Sequence, residues 1–258
     1  MIKKEINLIR YNILKSCFNV KEGHIGSAFS ILEILYIIFK KYINKNYFVL
    51  SKGHAAIGVY AIMQHFKLLS KKDYNSFGKF NSKLGGHPDS SKLPIFNFST
   101  GSLGHGFPNS AGFAYGLKQK KINKKVICLI GDQELMEGTT WETLHIIENF
   151  KIKNLLLIID RNKSDFRSIK FIKLKKKLSV YCDKIHEING HNISKIDSAI
   201  KKCLKNKSFN IVIANTIKGY GIKSMKNNPA WHHKAPTLEE LKKFKLELKL
   251  WEKPFLLQ

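Results

Sequence analysis

An α/β fold, a parallel sheet flanked by helices, is predicted by two continuous apolar runs, each closed by polar residues. Val126–Ile130 leads into Gly131-Asp132, and Leu155–Ile159 leads into Asp160-Arg161-Asn162. Continuous rather than alternating apolar runs suit strands buried on both faces, and the helical stretch between them makes a βαβ unit. Asn162 follows Asp132 by thirty residues. In such a unit the carboxyl edge is where ligands gather, and a carboxylate and an amide there suit a hard divalent cation holding a diphosphate. The same Gly-Asp dipeptide also suits an ordinary strand-to-helix turn, with Asp as N-cap.

The other elements follow in order. Ile2, Ile6, Ile9, Ile13 and Cys17 recur at helical spacing and predict an opening amphipathic helix. Gly23-His24-Ile25-Gly26-Ser27 breaks it, and Phe29–Lys40, apolar on most faces, predicts a second, buried helix. Phe48–Leu50 reads as a short strand entering Ser51-Lys52-Gly53-His54, with a helix to about Phe66. Ser82–Pro108 is rich in Gly, Ser and Pro without periodicity, and a loop that long is usually functional. A helix over Gly104–Gln119 precedes the βαβ unit. Strands at Lys184–Ile188 and Phe209–Ala214 flank a helix over Ile196–Cys203. Pro236-Thr237-Leu238-Glu239-Glu240 looks like a capped helix start. No repeat or linker divides the chain, which is expected to form one domain over 1–258 with a helical tail from about 237.

Composition sets bounds on function. At 258 residues and 43% hydrophobic, the chain can bury a full core. No apolar stretch has the length of a bilayer span, and the N-terminus lacks a signal-peptide core, so a cytoplasmic, non-membrane protein is expected. Cys17, Cys128, Cys182 and Cys203 show no metal or disulfide spacing. The net charge of +26 raises the question of nucleic acid. Nearly all of it is lysine, with only Arg10, Arg161 and Arg167 offering the bidentate fork such readers favour, so no nucleic-acid partner is expected. Lys175-Lys176-Lys177 reads as a solvated face.

Gly-His pairs stand at 23–24, 53–54, 86–87, 104–105 and 190–191, and Trp231-His232-His233 lies near the end. Glycine lets backbone approach a ligand, and imidazole both donates and accepts near neutral pH. The spacing does not suit zinc.

In order along almost the whole chain, these segments resemble the N-terminal half of transketolase, in the separate-subunit version found in split transketolases. The landmarks are Gly23–Gly26, Ser51–His54, Gly86-His87-Pro88, Ser99–Gly106, Gly131-Asp132 with Glu137-Gly138, Asp160-Arg161-Asn162, Asn189-Gly190-His191, Thr216–Gly221 and Trp231-His232. The resemblance implies a thiamine-diphosphate-binding fold with Mg²⁺ (or Ca²⁺). It implies that Asp132, Asn162 and the Ser164 carbonyl ligate the metal. Gly101, Gly131, Asp132 and Gln133 would approach the diphosphate, with Asn162 and His54 also at the cofactor and Leu103 packing on its rings. His24, His54, His87 and His232 would surround the thiazolium and the substrate hydroxyls, and Glu137 and Glu142 would form an acidic pair at the subunit interface. Plainer readings exist: Leu103 as core, and the two glutamates as favourable helix-start charges.

Three departures stand out. Gln133 replaces the usual last Gly of Gly-Asp-Gly, the residues after Asn162 lack the usual Asp-Gly turn, and His105 stands where Gln is common. The family's cofactor-activating glutamate lies in a second, pyrimidine-binding domain that this sequence does not contain. The resemblance therefore implies a heterotetramer built with a separate C-terminal subunit, and ketol transfer between sugar phosphates. Two alternatives remain: an acyloin or acyl transfer to a nucleotide-linked sugar in glycan synthesis, and a non-catalytic scaffold.

Overall fold

Among the described residues, five strands form one all-parallel sheet: β1 (Tyr47–Leu50), β2 (Val126–Gly131), β3 (Leu155–Arg161), β4 (Ile185–Asn189) and β5 (Asn210–Asn215), in the order β1-β2-β3-β5-β4. This computed structural model describes residues 2–163, 172–182 and 184–250. Side chains alternate between two cores. Leu50, Ile127, Leu129, Leu156, Ile158 and Val212 face one layer. Cys128, Ile130, Leu155, Leu157, Ile159 and Ile211 face the other. Burial on both faces is why β2 and β3 read as unbroken apolar runs.

One layer holds α1 (Ile2–Val20), α2 (Ile25–Phe29), α3 (Leu32–Lys41), α4 (Ala56–His65), α9 (Ile193–Lys205) and α10 (Leu238–Glu247). The other holds α6 (Gly106–Gln119), α7 (Gly138–Asn149) and α8 (Leu174–Leu178), while the short α5 (Lys71–Tyr74) follows α4. Leu174 and Leu178 are buried and Lys175–Lys177 exposed, as the charge run predicted. Thr237 caps α10 by accepting from the Glu240 N–H at 3.1 Å, and the Glu240 carboxylate accepts from the Thr237 N–H at 2.8 Å. No described helix is long and apolar enough to cross a membrane. The four cysteines are buried.

The expected helix over Phe29–Lys40 is instead two helices, with the chain turning at Ser30-Ile31. Ile31 leaves helical geometry at φ −113°, ψ 1°, and the Ser30 hydroxyl donates to the Asp160 carboxylate at 2.7 Å. The break expected over Gly23–Ser27 is correspondingly shorter, because α2 begins at Ile25. A carboxylate buried at the end of β3 needs donors, and Ser30 is one of them.

Candidate functional site

Because all five strands are parallel, their carboxyl ends share one edge, and five sequence landmarks gather there: Ser51–His54 after β1, Gly131–Gln133 at β2, Asp160–Asn162 at β3, Asn189–His191 after β4 and Thr216–Gly221 after β5. This edge is where ligands bind in such sheets.

Asp132 and Asn162 are both buried at this edge. The Asn162 amide nitrogen donates to Asp160 Oδ2 at 2.9 Å, which fixes the amide and turns its oxygen to the opposite side. A carboxylate plus an oriented amide oxygen is the donor chemistry a hard cation takes. The third expected ligand, Ser164, lies outside the described residues, as do most residues of the altered segment after Asn162. Gln133 sits in a 3₁₀ turn over Asp132–Met136, half-buried and without the positive φ that would call for glycine.

Asp160, the first residue of Asp-x-Asn, is committed elsewhere. Its Oδ2 lies 2.5 Å from Lys52 Nζ, with the two side chains 0% and 1% exposed. It also accepts from Ser30, Asn162 and the Thr216 hydroxyl. Burial alone would push this carboxyl up; the Lys52 ammonium and the hydroxyl donors overcome that and hold it below the usual carboxylate range. Sequence reasoning named Ser51–His54 as a landmark without giving Lys52 a role. The signal was available: a carboxylate at the end of an apolar strand requires a countercharge.

Glu134 is a second group the sequence reading missed. Fully buried, it accepts from the Gly131 N–H at 2.8 Å, the Gly104 N–H at 3.1 Å and the Ser51 hydroxyl. One carboxylate thereby ties together the three loops that carry His54, Gly101 with Leu103, and Asp132. Burial pushes its pKa up despite these donors. The loops also press close: a Cβ on Gly53 would lie 2.7 Å from the Thr100 carbonyl oxygen and 2.9 Å from the Gly101 nitrogen. Only glycine at position 53 lets the Gly101 backbone sit against the β1 turn. Gly101 and Leu103 are half-buried on that loop.

The histidines converge. From the His24 ring, centroids lie at 5.5 Å for His54, 6.4 Å for His87, 5.5 Å for His232 and 4.5 Å for His233, and His24 Nδ1 lies 3.0 Å from the His232 carbonyl oxygen. Four loops far apart in sequence thus supply one imidazole group. Burial, with neighbouring positive charge, pushes His24 down to about 4 and His54 down to about 2, so both are neutral at pH 7. The Gly-His pairs divide: His105 stays outside this group against the Leu103 carbonyl at 3.0 Å, and His191 instead accepts from the Ile217 N–H at 2.8 Å. Lys218 links histidines to carboxylates. Its Nζ lies 2.9 Å from His232 Nδ1, and it feels both Asp132 and Asp160; burial, then Lys52, lowers its pKa.

Glu137 is half-buried at the start of α7, where its side chain packs on the Gly104 turn. Glu142, five residues on, is exposed. Neither joins the histidine group.

Buried oxygen donors at the carboxyl edge of a parallel sheet, beside a group of converging imidazoles, define the class of a thiamine-diphosphate-binding domain. Residues 1–258 match the family described as transketolase, thiamine diphosphate binding domain, and the chain belongs to that family. It is 32% identical over 266 aligned positions to one of the subunits of the apulose-4-phosphate transketolase of Actinobacillus succinogenes, covering 96% of each. To human transketolase it is 30% identical, covering 90% of this chain but 40% of that protein. The solved transketolase of Campylobacter jejuni superposes with a TM-score of 0.88 at 25% identity, over 96% of this chain and 42% of that one. The chain therefore spans about two-fifths of single-chain transketolases and nearly all of a split subunit.

Proposed function

We propose that this chain, as one domain over 1–258, is the diphosphate-binding subunit of a two-subunit transketolase that moves a two-carbon ketol unit between sugar phosphates. The observation that carries this reading is the histidine group joined through Lys218 to the edge that holds Asp132 and Asn162. Asp132 and Asn162, with the Ser164 carbonyl, would hold Mg²⁺ or Ca²⁺ against the diphosphate, and Lys218 adds positive charge there. When bound, thiamine diphosphate supplies the electron sink for a two-carbon carbanion. His24 and His54, held in the neutral form, orient sugar hydroxyls by hydrogen bonds, each with one ring N–H to donate and one lone pair to accept. His87 and His232 complete the wall facing them. One C–C bond of the donor ketose breaks and one forms to the acceptor aldehyde, with no net oxidation.

The cofactor-activating carboxylate would come from a separate pyrimidine-binding subunit in a cytoplasmic heterotetramer. Glu137 and Glu142 are our candidates for contacts to that subunit. The likeness to subunits named for apulose-4-phosphate supports a sugar-phosphate substrate over a nucleotide-linked one. The test is reconstitution: the purified chain alone should convert no ketose phosphate, and addition of the partner should restore turnover. Turnover by the single chain would sink the half-site reading, and activity only with nucleotide-linked sugars would favour the rival chemistry.

A further inference from the structure

Two landmarks, Asn189-Gly190-His191 and Thr216–Gly221, interlock, and of their residues only Thr216 and Lys218 have a part in the chemistry above. β4 and β5 are neighbours with Asn189 opposite Asn215, and the Gly190 N–H donates to the Asn215 carbonyl at 2.8 Å. A Cβ on Gly190 would lie 2.3 Å from the Thr216 methyl carbon, so only glycine lets the two turns meet. Immediately beyond, the His191 ring takes hold of the second landmark. Its Nε2 accepts from the Ile217 N–H at 2.8 Å, and its Nδ1 lies 3.1 Å from Glu33 Oε2. Nε2 must therefore carry the lone pair and Nδ1 the proton, a tautomer set by its partners. The ring also stacks on Tyr220, with centroids 3.6 Å apart and planes 12° apart.

The other end of the segment is held by Arg10. Its Nη2 pairs with Glu33 Oε1 at 2.5 Å, and its Nε donates to the Tyr220 carbonyl at 3.0 Å. Gly221 takes φ +106°, and a Cβ there would lie 2.6 Å from Arg10 Nε. Burial alone would raise the Glu33 carboxyl; Arg10 and the His191 N–H overcome this and hold it below the usual range. Arg10, Glu33 and His191 thus fasten Ile217 on one side and Tyr220 on the other. Lys218 stands between them. Its neighbour Gly219 donates to the Gly26 carbonyl at 3.0 Å, and its own carbonyl accepts from the Asn227 N–H at 2.9 Å.

We propose that His191, oriented by the buried Arg10–Glu33 pair, is a positioning residue that fixes Lys218 and, through it, the His232 side of the cofactor and substrate site. The functional part rests on the reading above; the positioning itself does not.

Glu33→Gln tests it without changing volume. Arg10 needs an oxygen, so the new amide nitrogen faces His191 Nδ1 and forces the proton to Nε2, against the Ile217 N–H. In the apo chain, ¹⁵N NMR should show the His191 tautomer inverted, and amide exchange at Ile217 should rise at least about tenfold. The methylated Lys218 amine, followed by ¹³C NMR, should titrate nearer an ordinary lysine. His191→Ala is the second variant, should the first fail to fold. Free imidazole should restore its Ile217 protection, since His191 borders a cavity of about 490 Å³. In the complex with the partner, both variants should weaken thiamine diphosphate binding or raise the substrate KM about tenfold. Unchanged Ile217 exchange, or an unchanged Lys218 titration, overturns the proposal. So does faster exchange with cofactor affinity and KM at wild-type values, because the network would then be structural only. A wild-type complex that binds no thiamine diphosphate would instead refute the proposed function, leaving the apo readouts to decide the positioning.

Discussion

Lys52→Met removes one ammonium from the most enclosed ion pair of the site and keeps most of the side chain's bulk. The partner, Asp160, would then sit in a fully buried position with the Ser30, Asn162 and Thr216 donors but no cation. Stripping one partner from a buried pair costs about 3–5 kcal/mol, and the remaining donors place the expectation near the lower end, about 3 kcal/mol. With a urea m-value of about 3 kcal/mol/M for a domain of this size, the unfolding midpoint should fall by about 1 M. The pH dependence gives a sharper reading. In the wild type the Asp160 pKa is lowered, so its contribution is present above the unfolded carboxyl value of about 3.9 and lost as pH falls through the folded value. In the variant, uncompensated burial places the folded pKa above the unfolded one. The folded state then binds more protons, and this contribution improves on acidification. Urea titrations at pH 7, 6 and 5 should therefore show the gap between variant and wild type narrowing. A loss below about 1 kcal/mol, or a gap that stays constant with pH, would refute the claim that Lys52 neutralises a buried charge.

Three further outcomes are expected. Asp132→Ala should abolish thiamine diphosphate binding by the reconstituted complex, and calorimetry with and without Mg²⁺ checks it; unchanged affinity would mean the metal site is misassigned. Gln133→Gly should change cofactor affinity by less than about tenfold, roughly 1.4 kcal/mol, because the backbone at 133 has no need of glycine. A much larger gain would show that the native side chain obstructs the diphosphate. His24 and His54 have pKa values pushed down by burial, to about 4 and about 2, whereas an unfolded imidazole titrates near about 6.5. Their contribution is therefore present above about 6.5 and is lost progressively as pH falls below it. His54→Gln should flatten the fall in thermal midpoint between pH 6.5 and 4.5, and an unaltered slope in a differential scan would count against burial as the cause.

The sheet was legible in the sequence because strands covered on both faces must be apolar throughout, and Val126–Ile130 and Leu155–Ile159 are. Parallel strands joined by helices put every strand's carboxyl end on one edge, so the placing of Asp132 and Asn162 together followed from local pattern alone. The resemblance named His24, His54, His87 and His232, but no spacing along the chain encodes their meeting. That meeting depends on close approaches such as Gly53 against Thr100, which are set by how separate loops pack. Buried charge was hidden for the same reason. Lys52 and Asp160 are 108 residues apart, and nothing within either motif says which countercharge completes the other. Only folding brings them within 2.5 Å, with Ser30 donating to the same carboxylate beside the break at Ile31 in the helix expected over Phe29–Lys40. Local pattern decides what each segment becomes, because it depends on neighbours a few residues away. Tertiary structure alone decides which charge pairs with which, because desolvation penalises a buried charge until its partner arrives from elsewhere in the chain.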